Sequence, residues 1–354
     1  MRGLILSGGK GTRLRPLTFT NAKQLVPVAN KPVLFYGIDA LVQAGIRDIG
    51  IVVGDTRSEI ESAVGDGSSL GCSVTYIPQE APLGLAHAVL ISERFLGEEP
   101  FVMYLGDNLL KSGIRTLVDE FRERKPNAQI LLAHVRNPSQ FGVAELEDGR
   151  VKRLVEKPKV PRSDLALVGV YMFDRSIFPA VKAISPSWRD ELEITDAIQY
   201  LVDRGHVVEP HVVSGWWKDM GKVEDLLEAN RLILETFDER IDGTVDAASR
   251  IEGKVVIEPG ATVEESVVRG PVIIGRDAHV HHSYVGPFTS LGAGVRIVHS
   301  EIEHSIVMEG SAIESIGSRI ESSLIGRNVR IYKHPMKPRA WRFNIGDNSE
   351  VGVH

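Results

Sequence analysis

The residues best suited to chemistry sit around a glycine turn near the start of the chain. Gly8-Gly9-Lys10-Gly11-Thr12-Arg13 follows a short apolar run, Leu4–Leu6. Glycine lets a backbone come close to a ligand, and successive N–H groups in such a turn converge on an anion. Lys10, Arg13, Arg15 and Lys23 surround the turn with positive charge, which predicts a bound anion rather than a solvated basic face. Two better-known phosphate loops do not fit. Lys10 is followed by Gly11, not by the Ser or Thr of a Walker loop. Leu14 stands where the dinucleotide fingerprint needs its third glycine. Further along, Asp107 comes just after the apolar run Phe101–Leu105, at the carboxyl end of a strand, where open α/β sheets bind ligands. Asp219 follows Trp216-Trp217. Taken alone, an Asp after a strand serves equally well as a helix N-cap, and Glu156-Lys157 reads as an exposed ion pair of little worth.

The elements that must hold these groups alternate along the first 240 residues. Strands are predicted at Leu4–Leu6, Ile49–Val53, Val74–Ile77, Phe101–Leu105, Ile130–His134, Val143–Leu146 and Val168–Phe173. Helices are predicted over Pro32–Gly45, Ser58–Val64, Leu85–Ile91, Ile114–Arg124, Ile194–Val202 and Lys222–Thr236. Strand, helix, strand with short polar links is the pattern of a mostly parallel, Rossmann-like sheet covered on both faces.

Near Ile241-Asp242-Gly243 helical periodicity stops. Aliphatic residues then recur at steps of six: Ile274 to Val280, Val285 to Leu291 to Ile297, Val307 to Ile313, and Ile325 to Ile331. Several precede glycine directly. This is the hexapeptide pattern of a β-helix, whose coils bury their apolar edges only by stacking, with a short β-sandwich of irregular strands as the alternative. Steps of five (Val280 to Val285) and seven (Ile313 to Ile320) predict bulges. Residues 1–240 and 241–354 are thus expected to form two domains. Tyr332-Lys333-His334-Pro335 and Pro338–Trp341 break the repeat and are expected to cap the coil. An open coil also invites a partner, so a homo-oligomer is expected, and truncation near Asp242 should alter assembly.

Composition excludes several classes. The chain has 354 residues, with 41 Lys+Arg against 47 Asp+Glu and a formal net charge of −6. A slightly acidic chain argues against nucleic acid or an anionic membrane as partner. Cys72 is the only cysteine, which excludes an internal disulfide and a cysteine-cluster metal site; it reads as a small buried residue. The eleven histidines show no metal-cluster spacing, and His281-His282 is expected at a β-helix turn. The first residues do not read as a signal peptide and no apolar run approaches membrane length, so the cytoplasm is the expected location.

The run Leu6-Ser7-Gly8-Gly9-Lys10-Gly11-Thr12-Arg13-Leu14-Arg15-Pro16-Leu17-Thr18 resembles the signature of the sugar-1-phosphate nucleotidylyltransferases. Lys23-Gln24-Leu25-Val26-Pro27-Val28 and Lys31-Pro32 resemble the thymidylyl branch of that family. Gln79, Gly84-Leu85-Ala86, Leu105-Gly106-Asp107-Asn108, Phe141-Gly142-Val143, Val155-Glu156-Lys157-Pro158, Glu191–Asp196 and Trp217-Lys218-Asp219 follow in the family's order, over about residues 1–230. The tail resembles longer members, with a left-handed β-helix.

The resemblance implies transfer of a nucleotidyl group from dTTP to glucose 1-phosphate, in line at the α-phosphorus, with pyrophosphate leaving. It implies Mg²⁺ as cofactor, held by Asp107 and Asp219, with Arg13 and Lys23 meeting the triphosphate charge. Leu6, Gly8, Gly9, Gly11, Thr12 and Arg13 would line the nucleotide, and Gln24, Gln79 and Gly84 its base. Asn108, Gly142, Glu156, Lys157 and Trp217 would serve the sugar phosphate. Three positions depart from the family's habit: Phe141 for Tyr, Met220 for Thr, and His87 for Gln, the last expected to be structural. Synthesis of a UDP- or ADP-sugar, and a bifunctional uridylyltransferase/acetyltransferase, are the alternatives. The roughly 90 residues after Val255 are short for an acetyltransferase coil. A non-catalytic sugar-nucleotide sensor is disfavoured by the intact set of charged residues.

Overall fold

A computed structural model describes residues 1–9, 11–334 and 345–352. The chain forms two compact units. The first comprises Met1–Lys10, Asn21–Leu25 and Val33–Asp219; the second comprises Gly11–Thr20, Val26–Pro32 and Met220–His354.

The first unit is built on one large sheet. Its strands are β1 (Arg2–Ser7), β2 (Asp48–Val53), β3 (Ser73–Pro78), β4 (Phe101–Leu105), β6 (Ala128–His134), β7 (Gly142–Glu147), β8 (Arg150–Glu156), β9 (Leu165–Phe173) and β10 (Val208–Val212), and the short β5 (Asn108–Leu110) lies outside it. The order β8-β7-β9-β4-β1-β2-β3 continues from β9 through β6 to β10. Pairing is parallel along β4-β1-β2-β3 and between β6 and β10. The long strand β9 runs antiparallel to β4, β6 and β7, so the sheet is mixed.

Continuous apolar runs in β1, β2 and β4 reflect burial on both faces. Leu4 and Leu6 point into one core with Val52 and Met103. Ile5 points into the other with Ile49, Ile51 and Tyr104. Helices α1 (Val33–Gln43), α2 (Arg57–Val64) and α4 (Arg115–Arg124) cover the Ile5 face. Helices α3 (Leu85–Ile91), α5 (Ile177–Ala183) and α6 (Ile194–Asp203) cover the Leu4 face. Gly45 ends α1 as expected: at φ 77 it donates to Val42 O, and Ile46 N–H reaches back to Leu41 O.

In the second unit, helix α7 (Val223–Leu234) precedes three stacked parallel sheets, the architecture of a left-handed β-helix. The predicted aliphatic positions line its interior. Val263, Val280, Ile297, Ile313 and Ile331 stack in register along one side. Ile257, Ile274, Leu291, Val307 and Ile325 stack along a second. Val268, Val285, Ile302 and Ile320 form the third. The predicted cap falls partly on residues 335–341, outside the described residues.

One corner of the coil carries a serine ladder. Ser249 Oγ accepts the Ser266 N–H (3.0 Å), Ser266 Oγ that of Ser283 (3.1 Å), and Ser283 Oγ that of Ser300 (3.2 Å), each step spanning 17 residues. The preceding residues Glu265, His282 and His299 take left-handed φ of 46–47°, so His282 sits at the expected turn, whereas His281 ends the strand His279–His281. Ser283→Ala removes the acceptor of a buried N–H, whose unmet desolvation costs about 1–3 kcal/mol. Thermal or denaturant unfolding should show that loss without a change in the first unit's secondary structure.

Candidate active site

Strand β4 delivers Asp107 through Gly106, whose N–H binds Leu6 O at the end of β1 (3.0 Å). Lys23, in a short 3-10 turn (Lys23–Leu25), places its ammonium against the Asp107 carboxylate as a half-buried ion pair. Asn108 is 2% exposed and braces the same carboxylate, donating Nδ2–H to Asp107 Oδ1 (3.0 Å). Its own Oδ1 accepts from the Trp217 indole N–H (2.5 Å). Asn108 therefore spends its amide holding Asp107 to β11 (Trp217–Asp219). Strand β11 pairs antiparallel with β5 and sets Asp219 opposite Asn108. The two aspartates thus flank one asparagine, Asp107 along the chain and Asp219 across the ladder. These are hard oxygen donors, and the pair fits Mg²⁺, which takes one or two carboxylates and completes its shell with phosphate oxygens and water. No cluster of three or more His, Cys, Asp or Glu with metal-binding geometry occurs among the described residues.

The glycines permit close approach here. A Cβ on Gly9 would lie 3.3 Å from Lys23 Cε, and one on Gly8 would lie 3.1 Å from Gln79 Oε1. Gln79 donates to Gly84 O (3.3 Å) and lies 3.1 Å from His87 Nδ1. Gly8, Gln79, Gly84 and His87 therefore form one group, with His87 bracing the amide. Gly84 has φ 102, and a Cβ there would meet Leu192 O at 2.4 Å, so only glycine fits. Gln24 is 1% exposed and its Oε1 has no hydrogen-bond partner. A buried acceptor left unmet is costly, and it suits a ligand N–H.

A second cluster lies on β8 and α6. Glu156 ends β8 opposite Gly142, and a Cβ on Gly142 would sit 3.1 Å from Glu156 Oε2. That same oxygen accepts from Thr195 Oγ (2.6 Å). Lys157, at φ 41, has its Nζ 3.6 Å from Glu156 Oε1, and its N–H binds Phe141 O (3.0 Å). Phe141 meets Trp217 edge to face at 5.3 Å, which ties this cluster to β11. Sequence reasoning missed Arg189. Its guanidinium lies 3.7 Å from Glu156, 3.3 Å from Glu193 and 2.9 Å from Glu191. An isolated Arg just before the Glu191–Asp196 motif was the available signal. Burial, with Glu156 nearby, pushes the Glu193 and Asp196 carboxyls above their ordinary range, though a hydrogen bond from Ser187 partly offsets this at Glu193.

The rest of the glycine turn belongs to the second unit. Gly11 takes φ 60, and its carbonyl accepts from Thr18 Oγ (2.7 Å) and Leu14 N–H (3.0 Å), which closes the turn around Thr12 and Arg13. Arg13 packs over Gly221, where a Cβ would come within 2.9 Å of Nη2. Arg15 lies over the Phe19 ring at 4.6 Å. Lys10 lies outside the described residues. Met220 is fully buried, and Cys72 is half-buried, with burial pushing its thiol up.

The chain is similar to known proteins. Residues 2–236 match the nucleotidyl transferase family. A Streptomyces antibioticus glucose-1-phosphate thymidylyltransferase is 56% identical over 100% of this chain and 99% of its own length. A Bacillus anthracis glucose-1-phosphate thymidylyltransferase crystallised with sucrose superposes at TM-score 0.62 with 39% identity, covering 66% of this chain and 94% of that one. A UDP-glucose pyrophosphorylase bound to UDP-glucose superposes at TM-score 0.60 with 27% identity, over 66% and 98% of the two chains. The chain belongs to the nucleotidyl transferase family. No described helix is long and apolar enough to cross a membrane.

Proposed function

We propose that the protein transfers the thymidylyl group of dTTP to glucose 1-phosphate, yielding dTDP-glucose for deoxysugar synthesis. The observation that carries this reading is the Lys23–Asp107–Asn108–Asp219 constellation at the carboxyl end of β4, with Glu156 at the end of β8 and Lys157 just after it. An oxygen of the sugar phosphate attacks the α-phosphorus in line, the bond to the bridging oxygen breaks, and pyrophosphate carries away the electron pair. Bringing two anions together makes positioning and charge neutralisation the main demands, with no covalent intermediate.

Asp107 and Asp219 would hold a Mg²⁺, which supplies charge stabilisation at the phosphates when bound. Lys23 and Arg13 meet the triphosphate charge, and Lys157 meets the sugar phosphate. Glu156 accepts hydrogen bonds from sugar hydroxyls, its orientation fixed by Thr195 and Arg189. Gln24 and Gln79 offer both donors and acceptors, which suits the imide edge of a pyrimidine. Thymine and uracil share that edge, so the glutamines suit both, and the relatives' names favour thymine. Residues 1–240 act as the catalytic domain in this reading, and the coil at 241–354 as a homo-oligomer surface.

The test is pyrophosphate release from a panel of nucleoside triphosphates and sugar 1-phosphates, with and without Mg²⁺. Turnover should be fastest with dTTP and glucose 1-phosphate and should vanish on chelation. A preference for UTP or ATP overturns the thymidylyl assignment. Acetylated sugar phosphate on adding acetyl-CoA would reveal a bifunctional enzyme.

A further inference from the structure

Within the second unit the β-helix grips two N-terminal segments. The first is the turn between the short strands Pro27–Val28 and Lys31–Pro32, where Ala29 (φ 47) and Asn30 (φ 62) are both left-handed. Ala29 N–H donates to Asn230 Oδ1 (2.8 Å), and Asn30 Nδ2 donates to Leu291 O in the coil (2.7 Å). Asn230, on α7, is fully buried, and both ends of its amide are bonded. Its Oδ1 also accepts from Ser290 Oγ (2.7 Å), and its Nδ2 donates to Phe288 O (2.9 Å). Ala29 is packed with Leu234, Val256 and Ile273. The second segment follows the glycine turn. Leu17 lies on Gly326 of a later coil, where a Cβ would stand 3.0 Å from its Cδ2.

Residues 11–20 and 26–32 are the stretches of chain that enter and leave the Lys23–Leu25 turn. Both are fastened to the β-helix, one at Gly326 and the other through Asn230 and Leu291. We propose that Asn230 and Asn30 are positioning residues for nucleotidyl transfer, and that the β-helix acts through them to hold the nucleotide-binding segment around Lys23 and Gln24. Assembly is then not the coil's only task. A buried amide that bonds Ala29, Ser290 and Phe288 at once favours one arrangement of the chain, because others leave those groups unmet at a cost. This rests on the proposed function for its kinetic consequence but not for its structural one.

The experiment uses the full-length protein with Asn30→Gly, Asn230→Ser and Gly326→Leu. Asn30→Gly is the decisive variant, since glycine keeps the left-handed backbone and only the side-chain link to Leu291 O is lost. Initial rates of pyrophosphate release are measured against dTTP and against glucose 1-phosphate, with thermal midpoints and hydrogen exchange over residues 11–32. Loss of one such hydrogen bond should raise the KM for dTTP or lower kcat by about five- to tenfold. The KM for glucose 1-phosphate should stay within about twofold, because Glu156 and Lys157 lie on another segment. Exchange across 11–32 should quicken while the midpoint holds. A purely structural role would lower kcat only in proportion to the unfolded fraction and leave both KM values alone; that result, or unchanged exchange, overturns the proposal. Wild-type protein inactive with every nucleotide would refute the proposed function instead, and exchange would still judge the clamp. If Asn230→Ser fails to fold, Asn30→Gly alone decides between the two outcomes.

Discussion

Asp107→Asn and Asp219→Asn are each expected to abolish most turnover while leaving a folded protein. Asp107 sits between Lys23 and the Asn108 amide, and Asp219 lies across the ladder from Asn108. Each substitution keeps the shape and removes one negative charge from the pair that fits Mg²⁺. Losing such a contribution to the developing charge costs at least ~2 kcal/mol, a fall in rate of more than ~30-fold. Asp107→Asn also strips Lys23 of its counterion, so its effect should be the larger. Steady-state rates at saturating Mg²⁺, with far-ultraviolet dichroism as the control for folding, decide the matter. Near wild-type rates in either variant remove that residue from the proposed Mg²⁺ pair.

Much of this arrangement was legible in the sequence because its causes are local. The apolar runs of β1, β2 and β4, the Gly45 stop of α1 and the six-residue aliphatic step of the coil each follow from nearby residues. The glycine turn and its cations were visible for the same reason. What could not be read was set by pairing at long range. Strand β8 alternates charged and apolar residues weakly and becomes a strand only beside β7. The antiparallel course of β9 depends on partners far along the chain. Arg189 acquires a role only once α6 brings Glu193 close to Glu156. The serine ladder escaped notice because its period of 17 residues is that of a whole coil, whereas the aliphatic signal repeats once per side. Asn230 carries no local signal in the sequence, and only tertiary packing shows it buried and bonded to Ala29, Ser290 and Phe288.

Lys157→Ala and Arg13→Ala should fail in different ways. Lys157 stands beside Glu156 in the cluster proposed to take the sugar phosphate, so its loss should chiefly raise the KM for glucose 1-phosphate. Arg13 stands in the glycine turn closed by Thr18 and Gly11, so its loss should raise the KM for dTTP and lower kcat. Charge-assisted hydrogen bonds to phosphate are worth about 1.5–3 kcal/mol, roughly 10- to 150-fold in the affected constant. Two-substrate kinetics on both variants separate the effects. If both raise the KM for the same substrate alone, the division of the site into nucleotide and sugar-phosphate halves is wrong.

The central claim is direct nucleotidyl transfer to a sugar phosphate, and the fate of the α-phosphorus tests it most directly. The protein is incubated with Mg²⁺, glucose 1-phosphate and dTTP radiolabelled at the α-phosphorus, and the products are separated. The label should appear in dTDP-glucose, with unlabelled pyrophosphate released in equal amount. Label in thymidine monophosphate alone, or in an inorganic product with no nucleotide sugar formed, would contradict the account.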